Sequence, residues 1–110
     1  EQQISIDEYL RLLESDPFSP PTDTPLDPEL LTLLEDENRV VRAGDSVVFS
    51  MSAYQQMVEK ITAYIREHGE ITVADVRDMF GASRKYALPL MDHLDHQRIT
   101  RRVGDARVLR

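Results

Sequence analysis

The chain has 110 residues, 41% of them hydrophobic and 30% charged, with no cysteine and a formal net charge of -7. That length allows one or two small modules, each only marginally stable alone, and the missing cysteines exclude disulfides, thiolate metal sites and cysteine nucleophiles. No apolar run approaches the roughly 18 residues of a membrane span, no secretory signal is visible, and no Walker-type phosphate loop is present.

Ser5-Ile6-Asp7-Glu8 has the form of a capping box, in which serine and glutamate each satisfy a backbone amide near the other. Ile6, Leu10 and Leu13 then fall on one helical face, with Tyr9 beside them. Pro17, Pro20 and Pro21 end that helix, because proline donates no hydrogen bond and restricts the residue before it. Asp27-Pro28 reads as an N-cap followed by proline at the first helical position. Leu30, Leu31 and Leu34 give the short helix that follows an apolar face. Val40-Val41 and Val47-Val48-Phe49 flank Gly44-Asp45 and predict a hairpin.

Ser52-Ala53-Tyr54-Gln55 is a second capping box. It opens a longer helix on which Tyr54, Met57, Val58, Ile61 and Ile65 repeat at helical spacing. His68-Gly69 ends it, since glycine accepts a left-handed conformation. Thr72-Val73-Ala74-Asp75 starts a short helix through Val76, Met79 and Phe80, which Gly81 closes. Ser83 is placed to cap the next helix, which carries Tyr86, Leu90 and Leu94 in register. Pro89 lies inside it, and its missing N–H predicts a bend rather than an end. Ile99–Val103 and Arg107–Arg110 form a last hairpin around Gly104-Asp105-Ala106.

From residue 52 the order is helix, helix, helix, hairpin, the winged-helix arrangement of a helix-turn-helix followed by a wing. Residues 5–49 repeat it in shortened form, helix, helix, hairpin, with no residue-level repeat between the halves. The predicted fold is mainly α with small β-hairpins, a tandem of winged-helix modules. A winged-helix-like module covers 1–50 and a second winged helix covers 51–110.

Charge divides the chain. Residues 1–70 hold 15 Asp/Glu against 5 Lys/Arg, whereas residues 71–110 hold 5 against 8. That split suggests a basic binding face on an acidic body. Ser83-Arg84-Lys85 sits at a helix start, where free N–H groups and the dipole already favour an anion. Two cations there disfavour the helix unless a phosphate completes the arrangement; the plain alternative is two surface cations of no consequence.

The wing adds Arg98, Arg101, Arg102, Arg107 and Arg110. Arginine suits bidentate phosphate contacts and stacking on unpaired bases. Strand alternation puts Thr100 and Arg102 on one face and Ile99, Arg101 and Val103 on the other, so Arg102 is expected to meet solvent, and Arg101 to reach past the apolar edge or pair with a carboxylate. Asp92, Asp95 and Asp105 are available as partners, so one or two of these arginines are expected to be structural. Tyr86 is read as a core residue rather than a stacking platform. His93 and His96 lack the further ligands a metal site needs. No nucleophile, base and orienting group can be named, so the chain is read as non-enzymatic and cofactor-free.

The run from Ile71 to Gly81, then Ser83-Arg84-Lys85-Tyr86-Ala87, then Thr100-Arg101-Arg102-Val103-Gly104-Asp105 and Arg107, resembles the last winged-helix domain of bacterial selenocysteine-specific elongation factors (SelB). Residues 1–56 resemble the preceding domain more loosely, through Asp16-Pro17-Phe18-Ser19-Pro20-Pro21 and Asp27-Pro28-Glu29-Leu30-Leu31. The resemblance implies binding of the mRNA hairpin that directs selenocysteine insertion at UGA (the SECIS element), in the cytoplasm and in the context of the ribosome. It implies RNA contacts by Ser83, Arg84, Lys85, Arg98, Arg101, Arg102 and Arg107. The GTP-binding body of such factors is not in this sequence, so neither GTP nor tRNA is assigned to it. A soluble monomer is expected. Two other readings stay open: a winged-helix DNA-binding transcription regulator, and a protein–protein adaptor suited to the acidic first half.

Overall fold

The computed structural model describes residues 4–24, 26–44 and 46–110; Asp45 of the predicted turn lies outside them. Helix α1 spans Ile6–Ser15 and is capped by the Ser5 hydroxyl, which accepts from the Glu8 amide at 3.2 Å; the Glu8 carboxylate accepts from that hydroxyl at 3.3 Å, so of the expected capping box the serine half is formed. Tyr9 and Leu13 are buried, while Ile6 and Leu10 pack at the edge of the same cluster. After α1 the chain first turns, the Ser19 amide donating to the Asp16 carbonyl at 3.1 Å, so the expected extended stretch does not begin at Pro17. Pro20 is fully buried, and the Phe18 ring lies 5.0 Å from that of Phe80. Helix α2, Pro28–Asp36, is capped by the Asp27 carboxylate, which accepts from the Glu29 amide at 2.8 Å.

Strands β1 (Val40–Ala43) and β2 (Val47–Ser50) pair antiparallel, with Arg42 opposite Val48. Helix α3 follows at once, from Met51 to His68. Its cap is Ser50, whose hydroxyl accepts from the Ala53 amide at 3.2 Å, and this corrects the expected capping box at Ser52. Ser50 ends β2 in extended backbone, so the strand delivers the cap two residues before the sequence pattern places it. Gly69, at φ 92, closes α3.

A two-residue strand, β3 (Ile71–Thr72), precedes α4 (Val73–Phe80), and the Thr72–Asp75 capping box is formed in both directions. Helix α5, Arg84–His96, continues through Pro89. Strands β4 (Thr100–Val103) and β5 (Ala106–Leu109) form the wing. β3 joins them, giving the order β3-β5-β4, a third strand that the hairpin pattern alone does not predict.

Two apolar clusters organise the chain. The smaller joins Tyr9, Leu13, Leu34, Val40 and Val48. The larger is built on α3, α4 and α5, and it also takes Ala43, Val47 and Phe49 from the first hairpin. Successive strand residues face opposite sides, so Val48 enters one cluster and Phe49 the other. Strand β2 is therefore buried throughout, which explains its unbroken apolar run.

The two hairpins repeat one geometry. Glu37, Asn38 and Arg39 at the end of α2 donate to Leu33, Glu35 and Leu34; Gln97, Arg98 and Ile99 at the end of α5 donate to His93, Asp95 and Leu94. Asn38 (φ 58) and Arg98 (φ 62) hold the same left-handed conformation, uncommon outside glycine. In register, Arg42 opposite Val48 matches Arg102 opposite Arg107. The repeat invisible in residue identities is explicit in the backbone.

Phe49 tests this packing. It lies in the first fifty residues yet is fully buried in the larger cluster. Phe49→Ala is expected to cost about 3–5 kcal/mol of stability in urea denaturation. It should also lower amide-exchange protection at Ile61 and Leu94. A cost below about 1 kcal/mol would place Phe49 outside the core.

Candidate nucleic-acid interface

The start of α5 is built by a tight turn. Gly81, at φ 59, ends α4, and Ser83 takes extended backbone before the chain re-enters a helix. Side chains of Ser5, Asp27, Ser50 and Thr72 each accept from a first-turn amide of the helix they open. The Ser83 hydroxyl makes no such bond, contrary to the expected cap, and the first turn of α5 holds no acidic residue. Ser83, Arg84 and Lys85 are all exposed. The positive end of the helix is thus open and flanked by two cations.

Lys85 is tied to the first half of the chain. Its ammonium donates to the Thr22 hydroxyl at 3.0 Å and lies 5.4 Å from the Tyr86 ring centre. Tyr86 is half-buried against the larger cluster, as its helical register predicts.

In the wing, Arg98, Arg101 and Arg102 are exposed. Among the described residues, none of the three is paired with a carboxylate. The Arg102 Nε donates to the Gly104 carbonyl at 3.0 Å, which steadies the side chain without neutralising it.

Arg107 differs, and the expectation of a surface guanidinium there is corrected. It is only 3% exposed. Its Nε donates to Asp95 at 2.8 Å and its Nη2 to Asp92 at 3.0 Å, so it crosses from the central strand of the wing to α5. Thr100, on the same face of β4 as Arg102, is only 1% exposed, and its hydroxyl donates to the other Asp95 oxygen at 2.6 Å. Val103, placed on the apolar face, is instead among the exposed large hydrophobics. Asp95 therefore binds both strands of the hairpin. The sequence had marked Asp92 and Asp95 as arginine partners; which arginine they take is set by strand register.

The middle of α5 faces the first hairpin. Arg42, Gly44, Pro89, Asp92, His93 and His96 line a cleft of about 420 Å³ between them. Gly44, at φ 69, sits so close to Pro89 that an added Cβ would come within 3.3 Å of the proline Cβ. His93 is half-buried, edge-on to the Tyr54 ring at 5.4 Å. Burial, and then the neighbouring His96, push its pKa below the ordinary 6.5. Among the described residues no three His, Asp or Glu side chains converge as a metal site would require.

Residues 63–109 match the family described as elongation factor SelB, winged helix. The selenocysteine-specific elongation factor of Desulfomicrobium baculatum is 26% identical over 82 residues, which are 74% of this chain and 13% of that protein. The chain thus spans a small part of that relative. The mRNA-binding domain of elongation factor SelB from E. coli, solved in complex with SECIS RNA, superposes with a TM-score of 0.71 at 22% identity, covering 93% of this chain and 82% of that one. A bacterial selenocysteine-specific elongation factor EF-Sec gives a TM-score of 0.67 at 24% identity, over 77% of this chain and 14% of that one. These likenesses agree with a tandem of winged-helix modules.

His93 gives a pH test. Its folded-state pKa lies below the unfolded one, so the neutral ring contributes stability above about pH 6.5 that is lost as pH falls through the folded value. Thermal melts between about pH 7.5 and 5 should show that loss, and His93→Gln should flatten it. Identical pH slopes in the two proteins would count against the burial-driven shift.

Proposed function

We propose that this chain, whose residues 63–109 match the family described as elongation factor SelB, winged helix, binds an mRNA stem-loop of the selenocysteine insertion type and so helps recruit a selenocysteine-specific elongation factor to a UGA codon. The observation that carries the reading is a coincidence: the module that matches this family is also the one whose helix start and wing hold unneutralised cations. Phosphate oxygens would be met by the open amides of α5 together with Arg84, Lys85, Arg98, Arg101 and Arg102, with Ser83 as a neutral donor. Arg107 is left out because its donors are committed to Asp92 and Asp95.

The solved relative with SECIS RNA supports the choice of ligand. The role is one of binding rather than catalysis, exercised on the ribosome in the cytoplasm as part of a translation factor. No helix is long and apolar enough to cross a membrane among the described residues. We assign residues 1–50 to an acidic spacing module and residues 51–110 to the RNA-binding module. The acidic half repels phosphate, and through the Lys85–Thr22 bond and the Gly44–Pro89 contact it fixes how the second module is presented.

Duplex DNA is the less favoured ligand. A DNA-reading winged helix lays the length of its third helix in the major groove. Here the middle of α5 faces the first hairpin across the cleft and carries Asp92, 61% exposed.

Fluorescence anisotropy decides between these ligands. The chain should prefer a stem-loop RNA from a UGA-containing message over a shuffled-loop RNA and over duplex DNA of equal length. Alanine at Arg84 or Arg102 should weaken stem-loop binding by roughly 1–3 kcal/mol and lower the salt slope by about 1. If both substitutions together leave affinity and slope unchanged, the proposed surface is wrong.

A further inference from the structure

The repeated hairpin allows a comparison within one molecule. In the first copy, Glu35 on the last turn of α2 pairs with Arg42 at 2.6 Å. In the second, Asp95 holds the place of Glu35 and Arg102 that of Arg42, with the same spacing and register. Yet Asp95 does not pair with Arg102. It is occupied by Arg107 at 2.8 Å and Thr100 at 2.6 Å. The place of Arg107 in the first copy is held by Val48, which is buried and apolar.

The fold therefore does not need an arginine there. Its sister position is filled by a valine, and buried ion pairs can often be replaced by apolar residues without loss of stability. What differs between the copies is the fate of the exposed arginine on the neighbouring strand. With Val48, the helix-end carboxylate is free and captures Arg42. With Arg107, it is taken, and Arg102 is left without a carboxylate among the described residues.

We propose that Arg107 is a positioning residue for RNA binding, which by occupying Asp95 keeps that carboxylate from neutralising Arg102. This rests on the RNA-binding reading above. Reach is not an obstacle. Thr100 and Arg102 point to the same face of β4, and Asp95 already touches Thr100. Asp92 completes the arrangement by accepting the second donor of the guanidinium, so that the buried cation is fully paired. Arg107 thus acts without meeting the RNA, and its effect passes through Arg102.

The test is a charge-balanced pair of variants, read by anisotropy with the stem-loop RNA at several salt concentrations. Arg107→Val copies the sister module. It should release Asp95 onto Arg102 and weaken binding about tenfold, with the salt slope reduced by about 1, as Arg102→Ala does. Arg107→Val with Asp95→Asn has the net charge of the unaltered chain. With no carboxylate to capture Arg102, it should recover affinity to within about threefold. Circular dichroism establishes that each variant is folded. Should the valine fail to fold, Arg107→Met fills the buried volume and carries the same two-step test.

A folded double variant that stays as weak as the single one overturns the proposal, and so does a folded single variant that binds like the unaltered chain. If the unaltered chain itself does not bind the stem-loop, the RNA reading falls and the proposal with it. Failure of the two ideas is therefore distinguishable.

Discussion

The arrangement of this molecule depends on a strand with two insides. Val48 and Phe49 are neighbours in β2, and the pleat sends one into each apolar cluster. A hairpin whose strand β2 is buried on both faces cannot serve as the loose wing of a first module, because that strand is also a wall of the second core. The immediate passage from Ser50 into α3 follows from the same constraint: the last strand residue doubles as the helix cap. Contacts further out, such as Phe18 on Phe80 and Lys85 on Thr22, extend an attachment already set by the shared hairpin.

That attachment bears on function through α5. Helix-turn-helix proteins use the exposed length of the third helix for recognition. In this chain the middle of α5 looks across a cleft at Arg42 and Gly44. What remains open is the helix start, with its uncapped amides, and the wing. Both features suit a backbone whose phosphates are presented in an irregular shape, as in a folded single strand, better than they suit a regular groove.

The wing shows how one backbone frame can carry opposite surface chemistry. Both hairpins follow a helix that ends in a left-handed residue, and both place an arginine opposite the same register position. In one, that arginine is quenched by a glutamate from the helix. In the other, a buried arginine takes the equivalent carboxylate. The same register position thus carries a carboxylate-paired arginine in one hairpin and, in the other, an arginine that none of the described carboxylates pairs.

Much of this was legible in the amino-acid order. Capping pairs such as Ser5 with Glu8 and Thr72 with Asp75, the proline stops, and the three- and four-residue spacing of α3 depend on chemistry within one turn of helix. The sequence therefore determined the helices and the two hairpins, their order, and the basic character of the last forty residues. It also marked Asp92 and Asp95 as partners for the wing. What it left open was non-local. Whether Ser50 or Ser52 caps α3 depends on where a strand ends, and β3 exists only because β5 passes beside it. The choice between Arg102 and Arg107 for Asp95 rests on which face of a twisted strand meets the helix. Tertiary structure alone decided that Arg107 is buried and Arg102 exposed. Two arginines five residues apart carry the same side chain, and only their neighbours across the strand and helix tell them apart.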